Sequence, residues 1–128
     1  MELLSIVTLL ALAQFFYFGI KVGKARGTYG IEAPATSGHE IFDRHYRVHY
    51  NTLELLVSFI PALWAFGYYL DQNYAAIIGL VYLIGRTLFS ISYVKDPKSR
   101  SLGAMLSMLP CIVLILGGLG GALFSHFA

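Results

Sequence analysis

Apolar runs almost free of charge alternate with short polar knots along this chain. Leu3 to Ile20 carries no Asp, Glu, Lys or Arg, and neither does Leu55 to Leu70. Gln72 to Val94 carries only Arg86, and Ser101 to Ala128 carries none. A membrane-spanning helix needs about 20 predominantly apolar residues, and the second run reaches that length when extended back through Arg47 to Asn51. The pattern predicts four transmembrane helices over about 3–23, 44–70, 73–94 and 101–125. The expectation is an all-α membrane protein, a single domain folded as a four-helix bundle.

The polar knots read as connections. Gly23 closes the first run, and residues 27–40, with three glycines and Pro34, form the longest loop. Asp43 is the expected N-cap of the second helix. Asp71-Gln72-Asn73 is a tight turn, and Lys95 to Arg100 is a short one. Pro61 and Pro110 lie inside the second and fourth helices, where each removes an amide donor. Trp64, Tyr68 and Tyr69 are placed for an interfacial aromatic belt. Gly117 and Gly121 are spaced for close helix packing.

Composition agrees, with 57% of residues hydrophobic and 12% charged, against roughly 25% charged in soluble domains. The net charge of +2 says little, and no nucleic-acid partner is expected, but the placement of charge says more. All nine basic residues fall between Lys21 and Arg100, clustered around the first and third connections. By the positive-inside rule those connections face the cytoplasm and both termini face out. Basic residues follow the first apolar run rather than precede it, so that run is expected to be a retained span, not a cleaved leader. Compact loops suit a bacterial inner membrane. The single cysteine, Cys111, sits in an apolar run and is expected to act as a small hydrophobe.

Two stripes carry the chemistry. Arg44, Arg47, Asn51 and Glu54 follow an i, i+3, i+7, i+10 spacing, one face of a helix. Tyr82, Arg86, Phe89 and Tyr93 form a second stripe at i, i+4, i+7, i+11. At about 1.5 Å per residue, Glu54 lies roughly 15 Å and Arg86 roughly 12 Å inside the boundary, on neighbouring antiparallel helices. A charge at that depth faces a partner, a cavity or a ligand. A Glu54–Arg86 ion pair is one reading. A pocket for a small anionic or zwitterionic ligand is the other, since arginines fork onto carboxylates and Asn51 both donates and accepts. His45 and His49 are i, i+4, but without further ligands no metal is expected, and hydrogen bonding at the membrane edge is the favoured role.

The segment Phe42-Asp43-Arg44-His45-Tyr46-Arg47-Val48-His49-Tyr50-Asn51-Thr52-Leu53-Glu54 resembles the signature of the membrane-associated proteins in eicosanoid and glutathione metabolism, the MAPEG family. Ala25-Arg26 is similar to the end of that family's first helix. Gly79-Leu80-Val81-Tyr82-Leu83 with Arg86, Tyr93 and Arg100 is similar to its third helix and following turn. The resemblance implies homotrimers that bind glutathione between subunits. It implies that Arg26, Arg47, Asn51, Glu54, Tyr93 and Arg100 contact glutathione, that Arg44 and Arg86 lie on or beside the site, and that Arg100 activates the thiol with Ser101 beside it. The chain departs from the leukotriene branch at His49, Leu55 and Phe89, and has Gly27 where some members have a second arginine. It keeps Arg47, which the non-catalytic lipoxygenase-activating branch lacks. The expectation is a glutathione transferase, with or without peroxidase activity, acting on a lipophilic electrophile or lipid hydroperoxide. A non-enzymatic lipid-binding scaffold of the same fold and a small transporter are the alternatives.

The orientation is testable by labelling. Single cysteines at Ser37 and at Ser99, in a Cys111→Ala background, are expected to react with an impermeant maleimide from the cytoplasmic side only. Labelling of a cysteine at Asn73 from that side would invert the topology.

Overall fold

A computed structural model describes all 128 residues, as four long helices joined by one ten-residue loop and two short turns. They are α1 (Glu2–Tyr29), α2 (Glu40–Tyr69), α3 (Gln72–Lys95) and α4 (Ser101–Phe127), with a single 3-10 turn at Pro97–Ser99. All four are long and apolar enough to cross a membrane, as expected of an integral, multi-pass membrane protein. The helices run up and down. The α1–α2 and α3–α4 connections lie at one end; the termini and the α2–α3 turn lie at the other, where the Met1 ammonium donates to Gln72 Oε1 at 2.7 Å.

Local chemistry sets the helix ends. Helix α1 runs past Gly23 and stops at Gly30, which adopts the left-handed conformation (φ 67°, ψ 34°) while the Ile31 amide donates to the Arg26 carbonyl at 3.0 Å. This is a Schellman-type stop, which glycine enters without a steric penalty. Asp71 caps α3, its Oδ1 accepting from the amides of Asn73 (2.6 Å) and Tyr74 (3.1 Å). The cap of α2 is not Asp43. His39 takes that place, its Nδ1 accepting from the Ile41 amide at 3.1 Å. Asp43 lies one turn inside and reaches back to the Gly38 amide at 3.1 Å and the Ser37 hydroxyl at 3.3 Å. The glycine before His39 lets the loop fold onto the first turn, so the imidazole is the acceptor nearest the free amides.

Neither internal proline breaks its helix. Helix α2 is continuous through Pro61 and α4 through Pro110.

The core gathers Leu4, Val7 and Ala11 of α1 with Phe59 and Leu63 of α2, Ala75 and Tyr82 of α3, and Leu114 of α4. Trp64 belongs to this packing rather than to an outward belt, since its Nε1 donates to Thr8 Oγ1 of α1 at 2.8 Å. Gly117 and Gly121 face Phe66 and Leu70 of α2, a packing role. The tightest contacts with backbone atoms are elsewhere. A Cβ on Gly85 of α3 would lie 2.5 Å from the Leu106 carbonyl carbon and 2.6 Å from the Ser107 amide nitrogen of α4, and Gly103 of α4 meets the backbone of Phe89 in the same way. Helices α3 and α4 thus touch backbone to backbone at two levels.

Outward-facing Phe16, Val57, Ile91 and Leu116 leave a largely apolar exterior, as a lipid-immersed surface requires.

Gly85→Ala is expected to push α3 from α4 and destabilise the fold by about 1–3 kcal/mol. A Cβ on Gly120 would meet nothing within 4 Å, so Gly120→Ala is expected to be neutral or slightly stabilising. Thermal unfolding of both variants in detergent tests the contrast.

Candidate functional site

Arg86 is the largest fully buried side chain in the protein, with 0% of its surface exposed. It points from α3 to α2. One terminal nitrogen, Nη1, donates to Asn51 Oδ1 at 2.8 Å, and the guanidinium carbon lies 4.3 Å from the Phe89 ring centroid. Its Nε and Nη2 have no hydrogen-bond partner. Burying a cation costs several kcal/mol. A hydrogen bond to a charged group returns about 1.5–3 kcal/mol, and a desolvated cation–π contact about 2. Two of the three guanidinium nitrogens remain unsatisfied.

The direct Glu54–Arg86 ion pair does not form; the single ion pair in the chain joins Arg44 and Glu40. Asn51 stands between the two groups, its Nδ2 donating to Glu54 Oε1 at 3.5 Å while its Oδ1 accepts from Arg86. The depth argument places the three residues together, but Glu54 lies on the exposed side of α2 and Asn51 on the inner side. The polar stripe is therefore split. Arg47 and Glu54 face outward, while Arg44 and Asn51 lean onto α3.

Arg44 has a structural task. Its Nη1 donates to the carbonyls of Val94 (3.0 Å) and Lys95 (3.4 Å), and Nη2 to Glu40. These are orphan carbonyls at the end of α3, where the helix dipole is negative. A guanidinium spent on them is not free for a ligand, so Arg44 lies beside the candidate site without facing it.

Arg26 is also engaged. Its Nη1 donates to the Ala35 carbonyl at 2.7 Å and its guanidinium carbon sits 5.0 Å over the Phe42 ring, tying the long loop to α1. Arg47 lines a shallow cavity of about 470 Å³ with Ser37, Asp43 and Tyr50. Tyr93 stacks on Phe89 at 5.4 Å, on the side of α3 that carries Arg86. Arg100 and Ser101 are exposed at the start of α4. The single chain thus joins Asn51, Glu54, Arg86 and Tyr93 through direct contacts and through Phe89. It leaves Arg47, Arg100 and Ser101 facing outward at the same end of the bundle. Among the histidines of this edge His39 hydrogen-bonds, as the cap of α2, whereas His49 stacks on Phe15 at 4.5 Å. His45 lines a second cavity, between α1 and α3.

One polar tie was overlooked in the sequence. Gln14 Nε2 donates to the Leu83 carbonyl at 3.0 Å and to Thr87 Oγ1 at 3.1 Å, locking α1 to α3 at mid-depth. Its signal was available: Gln14 is the one amide in the charge-free Leu3–Ile20 run.

Asn51→Ala is expected to cost about 2 kcal/mol by stripping Arg86 of its hydrogen-bond acceptor. Arg86→Met on that background should recover stability, because removing the stranded charge removes its desolvation cost. A double-mutant cycle of thermal unfolding measures the coupling.

Residues 4–120 match the MAPEG family. Human microsomal glutathione S-transferase 2 is 39% identical over 119 residues, covering 92% of this chain and 81% of the human protein. Guinea-pig (Cavia porcellus) leukotriene C4 synthase is 33% identical over 125 residues, covering 98% and 83%. A protein of Synechocystis sp. described only as uncharacterized is 43% identical over 115 residues, covering 90% and 84%. With a family match over nearly its whole length and relatives above 30% identity, the chain belongs to the MAPEG family.

Proposed function

We propose that this protein is a membrane glutathione transferase that activates the glutathione thiol for attack on a lipophilic electrophile. The observation that carries the reading is the buried Arg86 guanidinium, whose Nε and Nη2 lack partners beside Asn51 and Glu54. Such donors pair with a carboxylate, and the exposed Glu54 would accept from a ligand ammonium. The relatives named for glutathione transfer and leukotriene C4 synthesis support the same reading.

Arg47, Glu54, Arg100 and Ser101 are exposed on one chain. We infer that a second copy closes a site built on them, in a homotrimer that holds glutathione between subunits. Arg26, whose Nη1 donates to the Ala35 carbonyl, would contact glutathione through its remaining donors.

The chemistry asked of Arg100 is electrostatic. It stands at the N-terminus of α4 with no side-chain cap bond. The free amides of the first helical turn carry partial positive charge there, and the guanidinium adds a full one. A thiol with a free pKa of about 8.5 is mostly protonated at neutral pH. Positive charge at the sulfur favours the thiolate, the nucleophilic form. Thiolate attack forms a carbon–sulfur bond as the leaving group departs with its electron pair; the thiol proton passes to solvent. Ser101, in the first turn, can donate to the sulfur. The apolar exterior of α1 and α4 suits an electrophile or hydroperoxide that arrives through lipid. Cytoplasmic first and third connections, and a bacterial inner membrane, complete the proposal.

Purified protein in detergent is expected to conjugate glutathione to a halogenated dinitrobenzene or to reduce a lipid hydroperoxide. Arg47→Ala and Glu54→Ala are each expected to weaken glutathione binding by about 2–5 kcal/mol. Unchanged calorimetric affinity in both would refute the site.

Arg100→Ala is expected to lower kcat far more than it raises KM. The absorbance of bound thiolate should titrate at higher pH in the variant, because removing a cation disfavours the anion. Arg100→Lys should restore activity in part, since a point charge lacks the planar fork. Superimposable titrations of wild type and Arg100→Ala would transfer the role to another group.

A further inference from the structure

Helices α1 and α3 are tied at Gln14 and enclose a gap between that tie and the connection end, which α2 floors with His45 and Val48. The result is a cavity of about 400 Å³, separate from Arg86. One wall is a single face of α1, Gln14, Tyr17, Phe18 and Lys21; the other is a single face of α3, running from Thr87 to Lys95. The charged and titratable side chains lining it are Tyr17, Lys21, His45 and Lys95, with no carboxylate among them. Neither lysine has a carboxylate within ion-pair distance. Lys21 lies along the wall with its ammonium 5.5 Å from the Tyr17 ring centroid. The groove is thus basic at its mouth, apolar along Tyr17, Phe18, Ile91 and Val94, and placed at the boundary of a membrane-spanning bundle.

We propose that this groove binds an anionic phospholipid of the surrounding bilayer, its phosphate between Lys21 and Lys95 and one acyl chain lying between α1 and α3. Charge complementarity selects the headgroup. Basic clefts between transmembrane helices attract acidic lipids, at about 1 kcal/mol per lysine near the surface, or roughly fivefold in affinity. The apolar walls select a chain-bearing ligand over a free phosphate. The groove shares a wall with the candidate site. Phe18 and Val48 line it and pack in one cluster with Phe89, the ring that carries Arg86. A chain in the groove would therefore hold Phe89 from behind.

The experiment is lipid retention by the intact protein, read by native mass spectrometry after equilibration with equimolar dioleoylphosphatidylglycerol and dioleoylphosphatidylcholine. Preferential retention of phosphatidylglycerol is expected. It should fall about fivefold in each of Lys21→Ala and Lys95→Ala, and further in the double variant. The pair Lys24→Ala/Lys98→Ala removes the same charge outside the groove and should keep the preference. Equal retention of both lipids overturns the proposal, as does equal loss in the two lysine pairs, which would mean diffuse surface attraction. Retention of added oleic acid with no phosphatidylglycerol preference also overturns it, assigning the groove to single-chain acids. Glutathione affinity is not part of the readout, so failure here leaves the transferase reading untouched.

Discussion

The burial of one guanidinium constrains the rest of this bundle. Arg86 sits fully enclosed in a membrane-spanning helix, and the protein meets its demand only in part. Asn51 must face α3 to reach it, which fixes the rotation of α2. Phe89 must lie one turn along α3 to cover its face. Around it the helices have little freedom, because the glycine contacts between α3 and α4 leave no room for side chains to slide.

Much of this was legible in the sequence, because the bilayer imposes a coarse code. Helix number and approximate ends follow from charge-free run length. The equal depth of Asn51, Glu54 and Arg86 follows from the helical rise and antiparallel neighbours. What could not be read was azimuth. Residues within a stripe spread over part of a helix circumference, and only packing decides which edge turns inward. That decision separated Glu54 from Arg86 and turned Arg44 onto the end of α3. Competition among acceptors was equally hidden: His39 and Asp43 both suit an N-cap, and the path of the loop chose the histidine.

The arginines of the connection end differ in how their bonds are spent, although the sequence presents them alike. Arg44 donates to the Val94 and Lys95 carbonyls and to Glu40, and Arg26 gives one bond to the Ala35 carbonyl; both tie the architecture. Arg86 is enclosed with one of its three nitrogens bonded, while Arg47 and Arg100 stand outward.

The turn between α3 and α4 admits little change of length. Arg44 pins the last carbonyls of α3; Asp96 accepts from the Lys98 amide at 3.1 Å, and Ser99 Oγ donates back to the Ser92 carbonyl at 3.0 Å. The link is a rigid coupling rather than a tether. One residue inserted within it would turn α4 by about 100° about its axis, swinging Gly103 away from the Phe89 backbone and bringing a larger side chain against α3. Arg100, at the head of α4, would move with it. This connection therefore works as a phase-setting joint between two helices, and relatives that keep the α3–α4 contact should differ in length at the α1–α2 loop or the termini before they differ here.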